Sequence, residues 1–294
     1  MSASTPERQK QLSGAGGFAF TDRDFREICS MLHEDAGIFL TEAKAPLVYS
    51  RLAKRLRALG LESFRDYCAL VKSREGLDER QKMLAALTTN VTKFFREPHH
   101  FESLKKLVAQ RVSAVRKGAR LRLWSAACSN GQEPYSMAMT VLSVMPDAGD
   151  YDVRILATDI DPNMIEAGKA GVYDEEAMSA VPTSMKSRWF TPVEDVAKGS
   201  WAVSDELSSM VAFRELNLVG SWPFKGPFDA IFCRNVVIYF EEATQVKIWQ
   251  RFTPMMTRHA RLFIGHSERV SGPASADLVI DGVTTYKLRG GDDA

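Results

Sequence analysis

LRLWSAACSNGQEPYSMAMTVLSVMPDAGDYDVRILATD, residues 121–159, decides the fold. LRLW at 121–124 reads as a short apolar strand and SAACSNGQEP at 125–134 as a tight polar loop. YSMAMTVLSVM at 135–145 reads as a helix opening on Pro134, and VRILAT at 153–158 as a second strand that delivers Asp159. A parallel βαβ unit with an acid at the carboxyl end of its second strand is how open α/β sheets hold nucleosides. The first loop cradles the polar part of the ligand and the acid takes ribose hydroxyls.

The loop has a single glycine, Gly131, and no GxGxxG, so backbone cannot approach a pyrophosphate as dinucleotide binding requires. S-adenosylmethionine has no phosphate. It offers an ammonium, a carboxylate, a sulfonium, ribose hydroxyls and adenine. Glu133 at the start of the helix can meet the ammonium and Asp159 the ribose diol, although Glu133 also reads as a helix cap and Asp159 as a turn residue. Asp161 precedes Pro162 and fits an N-cap for PNMIEAGKA, so it is assigned to structure.

Outward from this unit, apolar runs at 121–126, 153–158, 211–216, 229–233 and 261–265 alternate with helical patterns and predict a mainly parallel sheet covered on both faces. DLVI, Asp281-Gly282 and VTTYKL predict a closing antiparallel hairpin. Between about 175 and 210 a helical turn and WFTPVEDVAKGSWAVSDEL, with a turn near Lys198-Gly199, predict a small inserted antiparallel sheet. Such a sheet can accept a peptide as an extra strand, or serve only as a stabilising excursion.

Residues 1–17 read as disordered, and residues 18–89 as a small all-helical domain. Phe25, Ile28, Cys29 and Leu32 recur at helical spacing behind Thr21, an N-cap with Asp24 three residues on. A second helix near 45–59 puts Val48, Leu52, Leu56 and Leu59 on one side and Lys44, Arg51, Lys54, Arg55 and Arg57 on the other. SFRDYCALVKS and DERQKMLAALTT complete the domain.

The chain has 294 residues, of which 45% are hydrophobic, enough for a core in each of two modest domains. No apolar run approaches the length of a membrane span and the N-terminus lacks a signal-peptide stretch, so the expected location is cytoplasmic, without membrane insertion. Cys29, Cys68, Cys128 and Cys233 are too widely spaced for a zinc or iron-sulfur motif. Residues 1–120 carry 22 Lys and Arg against 14 Asp and Glu, and the remainder 16 against 23. That asymmetry suits either a basic front end meeting an acidic partner or a solvated helical surface.

The blocks LTTNVTKFFRE, WSAACSNGQEPYS, ATDID, ELNL, FDAIFCRNVVIYF and GHSE, in this order over residues 20–288, closely resemble the CheR family of chemotaxis receptor methyltransferases. The resemblance implies a class I S-adenosylmethionine-dependent methyltransferase fold, Rossmann-like, α/β, with its last strand inserted antiparallel beside the fifth. Residues 90–294 would form that domain. It also implies methylation of glutamate side chains on the cytoplasmic helices of methyl-accepting chemotaxis proteins, giving glutamyl methyl esters and S-adenosylhomocysteine for sensory adaptation. The implied setting is a cytoplasmic monomer associated with receptor arrays. Family donor contacts fall on Asn90, Thr92, Arg96, Glu133, Asp159, Asn217, Leu218, Arg234 and Asn235, and the methyl-transfer site on Arg96 and Tyr239.

Receptor methylation helices are rich in Glu and Gln, so Arg51, Lys54 and Arg55 become candidate substrate-binding residues. In some family members the inserted sheet docks a peptide at the receptor's C-terminus; here its turn region, PVEDVAKGSW, has one glycine, Gly199. No metal is expected: His99 and His100 are adjacent on a helix and would point apart, and no carboxylate cluster accompanies them and His266. The near-neutral net charge of +1 and the lack of an Asn-Pro-Pro-aromatic run argue against nucleic acid. The reading from another class is a non-catalytic, donor-binding regulatory or scaffold protein of a signalling array.

Overall fold

The computed structural model describes residues 17–193 and 199–291. The expected disorder of residues 1–17 falls almost wholly outside them, as does Lys198 of the turn expected near Lys198-Gly199. The chain divides into two compact units, Met1–Thr89 and Asn90–Ala294.

Among the described residues, the first unit contains four α-helices, α1 (Asp22–Ala36), α2 (Ala45–Leu59), α3 (Phe64–Lys72) and α4 (Leu77–Leu87). Thr21 opens α1 with a reciprocal capping box: its hydroxyl accepts from the Asp24 amide and the Asp24 carboxylate accepts from the Thr21 amide. The apolar stripes close over Phe20, Ile28, Leu32, Val48, Leu52, Leu56 and Phe64, all fully buried. Phe20 packs its ring on Phe25, Tyr49 and Phe64.

The second unit begins with α5 (Pro98–Arg116), β1 (Leu121–Ser125), α6 (Gln132–Val144), β2 (Val153–Asp159) and α7 (Pro162–Ala170). A small inserted region follows: β3 (Val172–Tyr173), α8 (Glu175–Met178), α9 (Thr183–Trp189), β4 (Phe190–Val193), β5 (Ser200–Val203) and α10 (Asp205–Ser208). The main sheet resumes with β6 (Val211–Glu215), β7 (Phe228–Cys233), α11 (Glu242–Phe252), β8 (Met256–Ile264), α12 (Ala274–Asp277), β9 (Leu278–Gly282) and β10 (Thr285–Leu288).

The seven-stranded order is β6-β2-β1-β7-β8-β10-β9. The first five strands are mutually parallel, and β10 runs antiparallel between β8 and β9. This is the class I methyltransferase arrangement. The order reverses at β1, between β2 and β7, so the ligand crevice of an open α/β sheet lies at the carboxyl ends of these three strands. Helix α6 is buried from Gln132 to Leu142, which is why its sequence shows no polar face.

Three local features differ from the sequence pattern. Strand β8 starts at Met256 rather than near 261, because Thr257, Arg258 and His259 carry no apolar signal. The buried Asp229 carboxylate takes His259 Nε2 at 2.6 Å and the Arg122 amide at 2.8 Å, tying that polar stretch to the sheet. The closing turn falls at Val283-Thr284 instead of Asp281-Gly282: Asp281 belongs to β9 and pairs with Arg261 and Lys287, while Thr284 takes the left-handed conformation, φ 47°. The inserted sheet, ordered β3-β5-β4, draws its third strand from Val172–Tyr173, ahead of the expected span, because a two-residue strand is too short to read from periodicity.

Candidate active site

The loop after β1 is held by its own small residues. Ser125 Oγ donates to Glu133 Oε1 at 2.7 Å. The Ser129 amide donates to Asp159 Oδ2 at 2.8 Å, and Ser129 Oγ donates to the Asn90 carbonyl at 2.8 Å. Asn90 Nδ2 donates to Asp161 Oδ2 at 2.8 Å, and Asp161 caps α7 through the Asn163 amide. The Asn90 segment, the loop and the β2 tip are therefore one hydrogen-bonded unit. Gly131, φ 93°, meets Tyr173 and Gly168 so closely that an added Cβ would lie 3.0 Å from each. Any other residue would be both strained and crowded there.

At the tip of β7, Arg234 is the electrostatic centre. Its Nη1 is 3.1 Å from Glu133 Oε2, its Nη2 is 3.5 Å from Glu97 Oε2, and Nη2 also donates to the Arg96 carbonyl. Burial pushes the Glu133 carboxyl above its ordinary value, opposed by Arg234 and the Ser125 bond. Burial likewise raises Asp159, opposed by the amides of Asp161 and Ser129. Burial opposes ionisation of Glu97 too, but Arg234, His266 and His100 together hold it below the ordinary range.

The remaining candidates lie after β6, after β7 and in the segment 90–96. Leu216 donates its amide to the Asp159 carbonyl at 2.9 Å, which brings Asn217 and Leu218 directly after the β2 tip. Asn217 Oδ1 closes its own turn by accepting from the Val219 amide, and Leu218 is buried with its carbonyl bound by Arg251 at 2.7 Å. Arg96 is half-buried and donates one Nη1 bond to the Val91 carbonyl at 3.0 Å; Thr92 is half-buried in the same segment. Asn235 follows Arg234 in the left-handed conformation, φ 58°. Tyr239 ends a 3₁₀ turn, half-buried, its amide bound to the Val236 carbonyl.

In the first unit, the basic face of α2 is partly neutralised. Arg55 makes two bonds to the buried Glu79, 2.9 and 2.6 Å, and Glu79 also accepts from Tyr67 Oη at 3.0 Å. Arg51 Nη1 donates to the carbonyls of Ala86 and Thr88. Lys54 is exposed.

The sequence pattern had assigned no role to Ser125, Ser129, Glu97 or Glu268. The two serines lie inside the quoted loop, where small polar residues were the available signal. Glu97 directly follows Arg96. Glu268 stands in the GHSE block, where its carboxylate accepts from four backbone amides: Val236 and Val237 on Oε1 at 2.9 Å each, Asn235 on Oε2 at 2.9 Å and Gly265 on Oε2 at 2.5 Å. Strain also marks the site. Among the described residues, four of the five non-glycine residues with positive φ are Phe95, Glu97, Ser129 and Asn235. Such backbone persists where surrounding contacts over-determine it.

The donor set suits S-adenosylmethionine. Gln132 Oε1, Arg234 Nε and Asn235 Oδ1 are buried without a hydrogen-bond partner among the described residues, offering acceptors for an ammonium and a donor for a carboxylate. Asp159 retains lone pairs for ribose hydroxyls. The expectation that His99 and His100 point apart is corrected: their ring centroids lie 4.2 Å apart, and with the single carboxylate of Glu97 they place ligand atoms within 4.8 Å of one another. Glu97 sits one turn ahead of His100, and His266 Nδ1 lies 3.2 Å from it. His100 Nε2 already meets Thr284 Oγ1 at 2.8 Å, and burial, with Arg234 and His99, lowers its pKa to about 3.

Residues 90–282 match the family described as CheR methyltransferase, SAM binding domain, and residues 23–88 match CheR methyltransferase, all-alpha domain. The chain is 54% identical over 258 residues to a probable chemotaxis protein methyltransferase of Rhizobium etli, covering 87% of this chain and 96% of that one. It is 40% identical over 271 residues to chemotaxis protein methyltransferase 2 of Pseudomonas aeruginosa (91% and 93%). It is 38% identical over 292 residues to the chemotaxis protein methyltransferase of Salmonella typhimurium (98% of each). Among the described residues, no helix is long and apolar enough to cross a membrane.

Proposed function

This chain belongs to the CheR family of chemotaxis methyltransferases, and from that premise we propose that it methylates glutamate side chains on the cytoplasmic helices of chemoreceptors. The observation that carries the reading is the Arg96 segment: Arg234 binds the Arg96 carbonyl, and the half-buried Arg96 side chain spends one donor on the Val91 carbonyl. A guanidinium carried on that segment would suit an anionic acceptor. It would repel an amine that must lose a proton before it can attack.

Bound S-adenosylmethionine supplies a methyl group on a sulfonium. A glutamate is already ionised at neutral pH, so one of its oxygens can form the new O–C bond as the S–C bond breaks, with no proton to move. The products are the glutamyl methyl ester and S-adenosylhomocysteine. The protein's contribution is alignment and exclusion of water, worth about 7–11 kcal/mol when two reactants are pre-oriented. Arg96 would orient the acceptor carboxylate through the guanidinium donors that Val91 does not use. Tyr239 would line the methyl path. Glu133, Asp159, Asn217, Leu218, Arg234 and Asn235 would hold the donor, with Asn90 and Thr92 closing over it.

The basic face of α2 would attract an acidic helix through its long-range charge. With Arg55 paired to Glu79 and Arg51 bound to carbonyls, Lys54 is the exposed charge of the three and the one assigned the larger share.

The test is incorporation of labelled methyl into a receptor cytoplasmic fragment, followed by mild alkali. An ester releases the label as methanol. Alkali-stable label would move the acceptor to an amine, and donor binding without incorporation would favour the scaffold reading.

A further inference from the structure

We propose that Glu268 is a positioning residue for methyl transfer: it fixes the Arg234–Tyr239 segment in its working conformation without touching either reactant. The inference rests on the functional reading above.

After β7 the chain must leave an extended strand and enter the 3₁₀ turn Val237–Tyr239 within three residues. That transition strands consecutive backbone amides, those of Asn235, Val236 and Val237, which no strand or helix partner can satisfy. Successive amides in such a turn converge and form an anion-binding concavity. Glu268 fills it from the neighbouring strand end, with two amides on each oxygen once Gly265 is included. Its side chain is buried and raised in pKa by that burial, against which the four amides act.

The geometry around the clamp is equally restrictive. A Cβ on Gly265 would stand 2.4 Å from Asn235 Nδ2 and 2.8 Å from its amide, so the β8 end and the Asn235 turn are in direct backbone contact. Glu268 closes back on Gly265 through its own amide at 2.9 Å. One side chain therefore locks two loops together at their closest approach.

Three functional side chains hang on the clamped backbone. Arg234 immediately precedes it and must reach Glu133. Asn235 is inside it, held left-handed, and its buried Oδ1 has no hydrogen-bond partner among the described residues. Tyr239 is tied to it through the Val236 carbonyl. A small rotation of the clamp would move all three together. A serine or asparagine could satisfy one or two of the amides; bridging four requires both oxygens of a carboxylate.

Glu268→Gln keeps the shape but turns an amide NH₂ against two N–H donors, and Glu268→Asp keeps the charge but shortens the reach. The stability control is Val153→Ala, a buried truncation at the start of β2, the opposite end of that strand from Asp159. Expected for Glu268→Gln are a fall in kcat at saturating donor of about a hundredfold and a loss of S-adenosylhomocysteine affinity of about tenfold, the scale of an ångström of misplacement. Glu268→Asp should fall between it and the parent, and Val153→Ala should retain kcat per folded molecule. If Glu268→Gln fails to fold, Glu268→Asp carries the same comparison. Donor affinity and kcat within twofold of the parent, or losses matched by Val153→Ala, would overturn the assignment. Should the parent itself fail to methylate a receptor fragment, the substrate reading falls, and calorimetric donor affinity still decides Glu268.

Discussion

Replacing Arg234 by Met removes the cation that, among the described residues, faces both Glu133 and Glu97, at 3.1 and 3.5 Å, and leaves a carboxylate with 11% side-chain exposure beside another with 12%. Breaking a buried pair by deleting one partner costs about 3–5 kcal/mol, because the survivor is an uncompensated buried charge. For a unit of this size that is a fall in melting temperature of roughly 6–20 °C. Glu133→Gln alone should cost less, since Arg234 keeps Glu97. The double variant Arg234→Met/Glu133→Gln should recover at least about 2 kcal/mol of the Arg234→Met loss, because removing both partners leaves less charge stranded.

A pH signature accompanies the cycle. The Glu133 carboxyl is raised in the folded state, so its contribution is complete below the ordinary carboxylate value and is lost as pH rises through the raised one. Without Arg234 the folded value rises further, and Arg234→Met should lose stability more steeply than the parent between mildly acid and neutral pH. The double variant should lose the part of that steepness that Glu133 contributes and keep the part due to Glu97, which Arg234 also holds down. Urea unfolding of the four proteins at two pH values measures all of this. An Arg234→Met loss below about 1 kcal/mol, or a double variant no more stable than Arg234→Met, would refute the assigned pairing.

Arg96→Ala should lower kcat at saturating donor by roughly a hundredfold while changing donor affinity far less; radiolabelled turnover beside calorimetry tests this, and unchanged turnover removes Arg96 from the mechanism. Lys54→Glu should slow receptor methylation several-fold at about 10 mM salt, where charges act over roughly 30 Å, and flatten its salt dependence; equal rates at low salt would make that face merely solvated. Gly265→Ala should cost about 1–3 kcal/mol by overpacking, because its Cβ would meet Asn235 at 2.4 Å; thermal melting reads the loss.

The parallel strands were legible because each is written as a short, mostly apolar run between helical patterns, and Asp161 because an acid before Pro162 is a local capping pattern. The pairings inside the site were not. Glu133 and Arg234 are far apart in sequence, and nothing in either neighbourhood encodes the partner. The polar side of α2 could be drawn from periodicity, but the capture of Arg55 by Glu79 depends on how α4 packs. Glu268 was visible as a residue in a block and invisible as a clamp, since a carboxylate serving only backbone amides leaves no complementary side chain to read. His100 is similar: its proximity to Glu97 follows from the left-handed Glu97 that starts α5, φ 56°, which no side-chain pattern announces.

The position of β1 between β2 and β7 has a consequence in time. As the chain is synthesised, Asp159 and Glu133 are made well before Arg234, and the last contact on the clamp waits for Glu268. A nascent chain thus carries the acidic half of the pocket with nothing to neutralise it and no turn to present Asn235 or Tyr239. Pairings this distant in sequence are slow to form, because loop closure comes before they reward it. On the proposed reading, donor capture should therefore wait until Arg234 and Glu268 have joined the sheet.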